Sequence, residues 1–314
     1  MKTAMITADE NGIPAETVTA IRSAGIEIIC KKCETPEVLL DFAKDSDVLW
    51  MFGPNLALTA EVLEKLPKCK AIFRSGSGID ALPCAKAVEL GIAVCNTPDS
   101  IAESVAEHAV ALLFSLIRRV PQFDREVRSG KWESDGSKTN WHITGRTLGL
   151  VGYGRIARKV EEMVSGFHMN VIHYDPYAPG SVALDELLKA SDYVSVHCPL
   201  TDATKHIISD REFAMMKPDA LLVNTSRGPV IDEAALVRAL QNKTIGGAAL
   251  DVTDPEPPAA DSILYTLDNL ILTPHIAAFS ADFEKNFWAF SVEKLKRLAA
   301  CGDDCRKESA IPVK

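Results

Sequence analysis

Several features that would place this chain in a specialised class of protein are missing. The apolar stretch AVALLFSLI (109–117) has about half of the length that a transmembrane helix needs. The N-terminal segment MKTAMITADENG becomes polar too early to form the apolar region of a signal peptide. The sequence shows no internal repeat and no low-complexity segment. We therefore expect a soluble, cytoplasmic protein without a membrane partner.

Basic residues are outnumbered by acidic ones. The 314 residues include 34 Lys and Arg against 43 Asp and Glu, which gives a formal net charge of −9. A nucleic-acid-binding protein needs a basic face that replaces the counterions of the phosphates. The charge therefore argues against a nucleic-acid partner, whereas it permits local basic pockets for small acidic molecules.

The eight cysteines form no regular disulfide framework. Cys30 and Cys33 make a C-x-x-C pair, and Cys301 and Cys305 make a looser pair near the C-terminus. A zinc site needs four well-placed ligands, which neither pair supplies. We expect reduced thiols and no metal site, and the role of both pairs stays open.

Short apolar runs alternate with helical patterns along the chain, which is typical of parallel sheets covered by helices. A helix-spaced segment without strand features, IAESVAEHAVALLFSLIRRV, separates two such series. We therefore predict an α/β fold with two doubly wound parallel-sheet domains. The predicted strands are 2–7, 26–29, 47–52, 69–73, 92–96, 147–152, 170–175, 193–197, 220–225, 246–251 and 269–274.

The stretch LGLVGYGRIARKV (148–160) has the pattern of a dinucleotide-binding turn. Gly152 permits the tight turn, Gly154 lets backbone approach a pyrophosphate, and the small Ala157 lets the helix pack close to the strand. The helix N-terminus offers N–H groups and a positive dipole end, to which Arg155 adds a charge. The alternative is a glycine turn that binds nothing.

An acidic residue, Asp175, ends the next predicted strand and is placed to accept hydrogen bonds from an adenosine ribose. A 2′-phosphate would meet a carboxylate there, and the neighbours Tyr174 and Pro176 offer no cation. The predicted cofactor is therefore NAD rather than NADP.

Three residues of complementary chemistry follow the last three predicted strands: Arg227, Glu256 and His275. Ligands of open parallel sheets bind beyond the carboxyl ends of the strands, so we expect the three side chains at one edge, beside the nicotinamide. The other histidines, His108 among them, lack such partners and are expected to be structural or solvated. His197 is expected to line the cofactor site without chemistry.

Hydride transfer to a 2-oxo acid needs these three residue types. An arginine binds the substrate carboxylate in bidentate geometry, and a histidine donates a proton to the carbonyl oxygen near neutral pH. A glutamate orients that histidine and supports its charged form. Asp251, at another strand end, is predicted to bind the nicotinamide carboxamide. Taken singly, each residue has a structural reading: strand-end packing, a surface ion pair or a solvated carboxylate.

With these residues the chain resembles the D-isomer-specific 2-hydroxyacid dehydrogenase family over nearly its full length. The matching stretches are TLGLVGYGRIAR, SVHCPLTDATKHII, MKPDALLVNTSRGPVIDEAALVRAL, GAALDVTDPEP and LTPHIAA. The resemblance implies that Arg227, Glu256 and His275 are catalytic. It also implies cofactor contacts at Arg155, Ile156, Asp175, Cys198, Pro199, Thr225, Ser226, Asp251, Ala277 and Ala278.

The resemblance further implies a Rossmann-type NAD-binding domain (100–279) inserted into a flavodoxin-like substrate domain (1–99 plus 280–314). The active site would lie in the cleft between them, and the protein would be a homodimer. In the substrate domain, glycines of one loop let backbone N–H groups approach a substrate carboxylate, although an ordinary turn is the alternative. The predicted substrate-binding residues of this loop are Arg74, Ser75, Gly76, Ser77 and Gly78.

The expected function is an NAD-dependent oxidoreductase that interconverts a small D-2-hydroxy acid and its 2-oxo acid. Arg74 resembles the arginine before the glycine pair of many phosphoglycerate dehydrogenases, which favours 3-phosphoglycerate. The stretch NTPDSIAES is closer to glyoxylate and hydroxypyruvate reductases, which are the alternative. A further hypothesis, from another class, is a non-catalytic NAD-sensing protein similar to the corepressors of this family.

Overall fold

A computed structural model describes residues 1–53, 55–132, 142–302 and 304–311. The strands are β1 (Lys2–Met5), β2 (Glu27–Cys30), β3 (Val48–Met51), β4 (Ala71–Arg74), β5 (Ala93–Asn96), β6 (Thr147–Val151), β7 (Asn170–Tyr174), β8 (Tyr193–Val196), β9 (Leu221–Asn224), β10 (Gly247–Leu250) and β11 (Leu270–Leu272). The helices are α1 (Ala15–Ser23), α2 (Pro36–Ala43), α3 (Ala60–Glu64), α4 (Cys84–Glu89), α5 (Ala102–Arg118), α6 (Val120–Arg128), α7 (Arg155–Val164), α8 (Leu184–Ala190), α9 (Asp210–Met215), α10 (Glu233–Gln241) and α11 (Phe283–Ala300).

The chain divides into two compact units. Unit 1 comprises Met1–Ile101 and Ser280–Lys314, and unit 2 is the continuous segment Ala102–Phe279. The first boundary of unit 2 lies between Ile101 and Ala102, where α5 begins, and the second lies between Phe279 and Ser280. The assignment of residues 100–279 and of 1–99 plus 280–314 to two functional domains stays a prediction.

Unit 1 is built on a parallel sheet in the order β2-β1-β3-β4-β5. This is the flavodoxin-like order that the family resemblance implies. All four residues of β3, VLWM, are buried, because apolar clusters cover both faces of the sheet. The cluster on one of these faces includes Leu295 and Leu298 of α11, so the C-terminal helix completes this unit.

Unit 2 is built on a parallel sheet in the order β11-β10-β9-β8-β6-β7. Strands are added in one direction from β6 to β7 and in the other from β8 onwards, so β6 and β8 flank the switch point where doubly wound sheets bind ligands. Helix α5 packs Ala106, Ala109 and Leu113 into the cluster on one face. The two parallel-sheet domains predicted from the sequence are thus both present.

The cysteines of the two sequence pairs are free thiols, like the other four. Cys30 packs with the apolar cluster on one face of the unit 1 sheet and Cys33 with the cluster on the other, so the C-x-x-C thiols are directed apart. Cys301 and Cys305 pack with the same cluster as Cys30. Over the described ranges, no group of three or more His, Cys, Asp and Glu side chains is arranged to bind a metal ion. No described helix combines the length and apolarity that crossing a bilayer requires.

Candidate active site

A row of side chains lies one residue beyond the strands of the unit 2 sheet. Strands β8 to β11 end in register, so His197, Thr225, Asp251 and Thr273 occupy neighbouring positions at the carboxyl edge. The N–H groups of His197, Asp251 and Thr273 continue the ladder and donate to backbone carbonyls at 2.7, 3.0 and 2.9 Å. Residues paired in register point to the same face of a sheet. For this row it is the face that α5 covers, since Val223 and Ala249 pack there.

The predicted catalytic histidine and glutamate are in contact. Nδ1 of His275 lies 2.8 Å from a carboxylate oxygen of Glu256. An ionised carboxylate can only accept, so Nδ1 carries the proton of this hydrogen bond. The side chains are 49% and 38% exposed, which leaves the pair open at the surface of unit 2. Among the described residues Nε2 of His275 has no hydrogen-bond partner, so this ring atom is available to a ligand.

Arg227 follows β9 in a turn that the buried Asn224 organises. The Asn224 side-chain NH₂ donates to the Arg227 carbonyl at 2.9 Å, while its oxygen accepts from the Ser226 N–H at 3.0 Å and the Ser226 hydroxyl at 2.8 Å. The Arg227 guanidinium donates to the Ser226 carbonyl at 2.8 Å. Sequence reasoning did not identify Asn224, and its only signal is the polar residue that ends the apolar run ALLVN.

Gly228 joins the Arg227 turn to the turn that carries Glu256. A Cβ atom at Gly228 would lie 2.0 Å from the Thr253 carbonyl oxygen, a distance that no side chain permits. The Thr253 N–H in turn donates to Glu256 at 3.2 Å. Arg227 and Glu256 are therefore carried by two turns in direct contact, at the edge where His275 also lies.

His275 itself has a strained backbone, with a φ of 54°. A residue other than glycine in this left-handed region costs about 1–3 kcal/mol, and such residues cluster at functional sites. The His275 N–H donates to the carbonyl oxygens of Asp251 and Thr273 at 2.8 and 3.1 Å. These two bonds hold the backbone in a conformation that places the ring beside Glu256.

A network that we call the Asp251 clamp (His108, Asp251, Thr273, Ile276 and Ala277) holds the turn on both sides of His275. The Asp251 carboxylate accepts from the N–H groups of Ile276 and Ala277 at 3.0 and 2.9 Å and from the Thr273 hydroxyl. Burial alone would raise the pKa of Asp251, but hydrogen bonds from His108, Thr273 and the two N–H groups outweigh it and lower that pKa. The clamp thus holds an ionised carboxylate in the interior of unit 2.

Two members of the clamp, His108 and Asp251, make contacts that the sequence pattern did not indicate. His108 was expected to lack a functional partner, yet its Nε2 lies 3.1 Å from the Thr273 hydroxyl and 3.5 Å from Asp251. Asp251 was expected to bind the nicotinamide carboxamide, and both of its oxygens already accept hydrogen bonds from the protein. The contact of Asp251 with the carboxamide stays a prediction. The sequence pattern did not indicate the structural role of Asp251, which is to hold the turn around His275.

The glycine turn at the switch point fits a pyrophosphate. Gly152 has a φ of 88°, and a Cβ there would lie 2.5 Å from the backbone nitrogen of Cys198. Gly154 is the N-cap of α7, and a Cβ there would meet no protein atom within 4 Å. The first glycine is required by the protein's own packing, whereas the second borders open space at a helix N-terminus, where an anion is favoured.

Asp175 is held rigidly at the end of β7. Its two carboxylate oxygens accept from the N–H groups of Tyr153 and Tyr177 at 2.8 and 2.9 Å. Each carboxylate oxygen has a second lone pair that remains for ribose hydroxyls. The half-buried carboxylate therefore has the position and the free capacity that the NAD prediction requires.

Thr225 provides a further test of the cofactor prediction. Its side chain is 8% exposed, and its hydroxyl has no hydrogen-bond partner among the described residues. A buried polar atom without a partner costs free energy, which a bound ligand can recover. Nδ1 of the adjacent His197 is likewise buried without a partner. These two orphaned atoms fit a polar ligand along the row.

The other predicted cofactor residues lie around the same edge. Arg155 is exposed in the first turn of α7, and Ile156 packs partly into the core. Cys198 is a buried thiol whose pKa burial raises to about 12, and the adjacent Pro199 is exposed. Ala277 is buried, and Ala278 is half-buried beside it. Ser226 has its hydroxyl occupied by Asn224.

The predicted substrate loop lies in unit 1, directly after β4. The Ser75 hydroxyl is buried and bonded to Trp50 at 2.8 Å and Ser291 at 2.7 Å, and its N–H donates to a strand carbonyl. The Gly76 N–H donates to the Thr97 hydroxyl at 2.8 Å. Ser75 and Gly76 therefore have their polar groups occupied within unit 1.

The end of the loop, in contrast, has backbone N–H groups that are available to a ligand. The Arg74 guanidinium donates to the Gly78 carbonyl. The N–H groups of Ser77 and Gly78, both half-buried, donate to no acceptor in the described parts of the chain. These two N–H groups, rather than those of Ser75 and Gly76, can bind an anion.

Comparisons with known proteins agree with this geometry. The sequence model of the D-isomer specific 2-hydroxyacid dehydrogenase NAD binding domain matches residues 110–277. A D-3-phosphoglycerate dehydrogenase of Methanocaldococcus jannaschii is 40% identical over 274 residues, 84% of this chain and 52% of that protein. A glyoxylate reductase of Korarchaeum cryptofilum is 38% identical over 276 residues, 82% of this chain and 81% of that protein. A D-lactate dehydrogenase structure from Aquifex aeolicus, complexed with NAD and lactic acid, has a TM-score of 0.80 at 28% identity and covers 96% of both chains.

The chain therefore belongs to the D-isomer specific 2-hydroxyacid dehydrogenase family. Within that family, unit 2 is the NAD-binding domain, with a Rossmann-type sheet. The resemblance inferred from the sequence motifs is confirmed. The chain spans about half the length of the phosphoglycerate dehydrogenase and about four fifths of the length of the glyoxylate reductase.

Proposed function

We propose that this protein is an NAD-dependent oxidoreductase that interconverts a small D-2-hydroxy acid and its 2-oxo acid. The observation that carries the proposal is the 2.8 Å contact between His275 and Glu256, at the carboxyl edge of the NAD-binding sheet. The turn of Arg227 contacts the turn of Glu256 at the same edge. Bound NAD supplies the acceptor or donor of hydride.

The protein residues supply the remaining chemistry. Arg227 binds the substrate carboxylate, because its planar guanidinium matches that group with two parallel hydrogen bonds. His275 donates a proton from Nε2 to the substrate oxygen in reduction and accepts one there in oxidation. Glu256 fixes the ring by accepting from Nδ1, and its charge stabilises the imidazolium that forms in oxidation.

The residues that would hold NAD are the switch-point turn and the row beyond the strands. Gly154 and the N-terminus of α7 would receive the pyrophosphate, and Asp175 the adenosine ribose. The orphaned hydroxyl of Thr225 supports a cofactor contact there. Because Asp175 is a carboxylate, we propose NAD rather than NADP as the physiological cofactor.

We also propose that the protein is a homodimer in the cytoplasm, as the family resemblance implies. Helix α6 supports an interface, because Val120 and Val127 are 55% and 48% exposed. The two valines lie seven residues apart, which is two helical turns, so they share one side of α6 that a second copy of the protein would cover.

For the substrate, we propose 3-phosphoglycerate and its 2-oxo form. The support is the unit 1 loop, where Arg74 lies beside the available N–H groups of Ser77 and Gly78. A guanidinium and backbone N–H groups suit a carboxylate or phosphate anion. The 40% identity to a phosphoglycerate dehydrogenase agrees with this choice.

A second candidate is the reduction of hydroxypyruvate or glyoxylate. The observation that favours it is similarity to two reductases. The chain is 38% identical to a glyoxylate reductase of Korarchaeum cryptofilum and 38% identical to a hydroxypyruvate reductase of Thermotoga maritima. These substrates carry no phosphate, so they would not need a second anion-binding group.

The test is a panel of 2-oxo acids reduced with NADH and with NADPH, followed by the nicotinamide absorbance. We expect kcat/KM for 3-phosphohydroxypyruvate to exceed that for hydroxypyruvate and glyoxylate by about tenfold or more, and NADH to be preferred over NADPH. Arg74→Ala should remove the preference for the phosphorylated acid. A higher kcat/KM for glyoxylate or hydroxypyruvate would replace the substrate proposal. Tight NADH binding without any turnover would favour an NAD-sensing protein.

A further inference from the structure

We propose that His108, on α5, is a positioning residue that aligns the acid–base residue His275 through Thr273 and Asp251. This inference rests on the proposed function of His275. The hydrogen-bond and ion-pair partners of His108 within the described ranges are Thr273 and Asp251, so its action on His275 would be indirect.

The hydrogen bonds of the Asp251 clamp run in one direction. The Thr273 hydroxyl has a single proton, and it donates this proton to Asp251. The bond between Thr273 and His108, at 3.1 Å, must therefore have Nε2–H of His108 as its donor. This assignment fixes the proton of His108 on Nε2. His108 is thus the first donor in a series of hydrogen bonds that runs through Thr273 to Asp251.

The same series of hydrogen bonds reaches the backbone on both sides of His275. Asp251 accepts from the N–H groups of Ile276 and Ala277, which directly follow His275. Thr273 precedes His275 by two residues and accepts its N–H through the carbonyl. Because the φ of 54° at His275 is unfavourable, the turn keeps this conformation only while surrounding bonds enforce it.

Helix α5 gives His108 a rigid support. Ala106 and Ala109, on the same helix, are buried in the cluster on this face of the sheet, which fixes the helix beside the row beyond the strands. The His108 side chain is 22% exposed, so its ring has little freedom to leave Thr273. Removal of the Nε2–H donor would let the Thr273 hydroxyl rotate and would loosen one oxygen of Asp251. The His275 ring would then lose its alignment with Glu256.

The experiment compares His108→Phe, which removes the donor, with His108→Gln, whose amide N–H can reach the same hydroxyl. We expect kcat to fall about tenfold in His108→Phe and to stay within about threefold of wild type in His108→Gln. The dissociation constant for NADH should change less than about threefold in both. Glu107→Gln, at the exposed neighbour on α5, is the matched control and should leave kcat unchanged.

A second pair of measurements separates positioning from a general loss of folding. Thr273→Val should reproduce the effect of His108→Phe, and the double variant should lose no more activity than either single variant. In a His275→Ala background, His108→Phe should cause no further loss. Additive losses in these two tests would overturn the proposal, as would full activity of His108→Phe.

A direct readout of the ring is independent of turnover. In protein with ¹⁵N-labelled histidine, the His275 ring signals, assigned with His275→Asn, should shift in His108→Phe and be retained in His108→Gln. If the wild type reduces no 2-oxo acid but the signals respond in this way, the proposed function fails while the alignment by His108 stands. Unchanged His275 signals in a folded His108→Phe protein would refute the alignment.

Discussion

Single residues of the candidate site differ in whether the protein itself provides hydrogen-bond partners for their polar atoms. Nδ1 of His275 is bonded to Glu256, and both oxygens of Asp251 are occupied. Nε2 of His275, which is half exposed, and the buried hydroxyl of Thr225, in contrast, have no hydrogen-bond partner among the residues that the structure describes. Buried polar groups are rarely left without a partner. The two free atoms therefore support the proposal that substrate and cofactor bind at this edge.

The role of Arg227 can be tested by removing its guanidinium. We expect Arg227→Ala to lower kcat/KM by about 10²-fold or more, because the loss of one partner of a bidentate ion pair costs about 3 kcal/mol. Arg227→Lys keeps the positive charge but loses the two parallel donors of the guanidinium, so its kcat/KM should lie between those of the wild type and Arg227→Ala. Steady-state kinetics measure both, and fluorescence titration should show unchanged NADH affinity.

The control for this prediction is Arg238→Ala, on the exposed surface of α10. Arg238 forms an ion pair with Asp210 at 2.7 Å, and neither residue of this exposed pair is a predicted site residue. This variant should retain wild-type kcat/KM. An Arg227→Ala enzyme as active as Arg238→Ala would exclude the guanidinium from substrate binding.

Residue positions were predictable from the sequence only where a local pattern indicates them. Arg227, Glu256 and His275 each follow an apolar run, so the edge of the sheet could be foreseen for all three. His108 lies 165 residues from Thr273 along the chain, and no periodicity reveals that contact. Ser75 reads as part of a glycine loop, but burial turns its hydroxyl towards Trp50 and Ser291. Contacts between distant segments depend on packing, which the pattern does not contain.

At the scale of elements, the site depends on strands that end together and on glycines that let turns touch. Parallel register from β8 to β11 places one residue per strand in the row, so a strand of different length would remove a member. Gly228 then allows the turn after β9 to contact the turn after β10. The alternation of strands and helices was predictable, because buried parallel strands read as short apolar runs. The exact ends of the strands were less predictable. Strand β11, for example, is Leu270–Leu272, which is shorter than the predicted 269–274.

The two glycines of the switch-point turn should fail in different ways when substituted. Gly152→Ala forces a Cβ to within 2.5 Å of backbone at a φ of 88°, so we expect the free energy of unfolding to fall by about 2 kcal/mol or more. Gly154→Ala meets no protein atom within 4 Å, and its unfolding free energy should change by less than about 1 kcal/mol. Its methyl group would instead occupy the space of the pyrophosphate.

The measurements are urea denaturation and NADH titration of both variants. Gly154→Ala should bind NADH at least about tenfold more weakly while it unfolds like the wild type. The opposite behaviour, with normal NADH affinity in Gly154→Ala, would mean that the cofactor does not approach the backbone at this turn.

At the scale of the whole molecule, the chain combines two sheets with separate cores. Unit 1 is closed by α11, which comes from the C-terminal end, so the NAD-binding unit is an insertion in the sequence of the other. The number of α/β domains followed from the repeated pattern of apolar runs. The discontinuity did not, because an amphipathic helix pattern does not specify the sheet on which it packs. It was implied only by the family resemblance.

Stability of the NAD-binding unit should depend on pH through a histidine with no catalytic role. His197, in the row beyond the strands, is neutral in the folded protein because burial lowers its pKa from 6.5 to about 4. In the unfolded chain the ring takes up a proton near the ordinary value. Between these two values the unfolded state binds more protons, so the free energy of unfolding decreases as the pH falls through this window.

The expected contribution is about 1.4 kcal/mol per pH unit, or about 2.5 kcal/mol between about pH 7.5 and pH 4.5. His197→Gln removes the titrating ring while its amide can still bond to Ser195, the partner of the ring at 2.9 Å. Urea denaturation at a series of pH values measures the free energy of unfolding. Between about pH 7.5 and pH 4.5, this free energy should decrease by about 2.5 kcal/mol less in His197→Gln than in the wild type. His142→Gln, at an exposed histidine, should follow the wild-type curve. If His197→Gln also follows it, the buried ring must take up its proton without unfolding, and the row beyond the strands must be open to water.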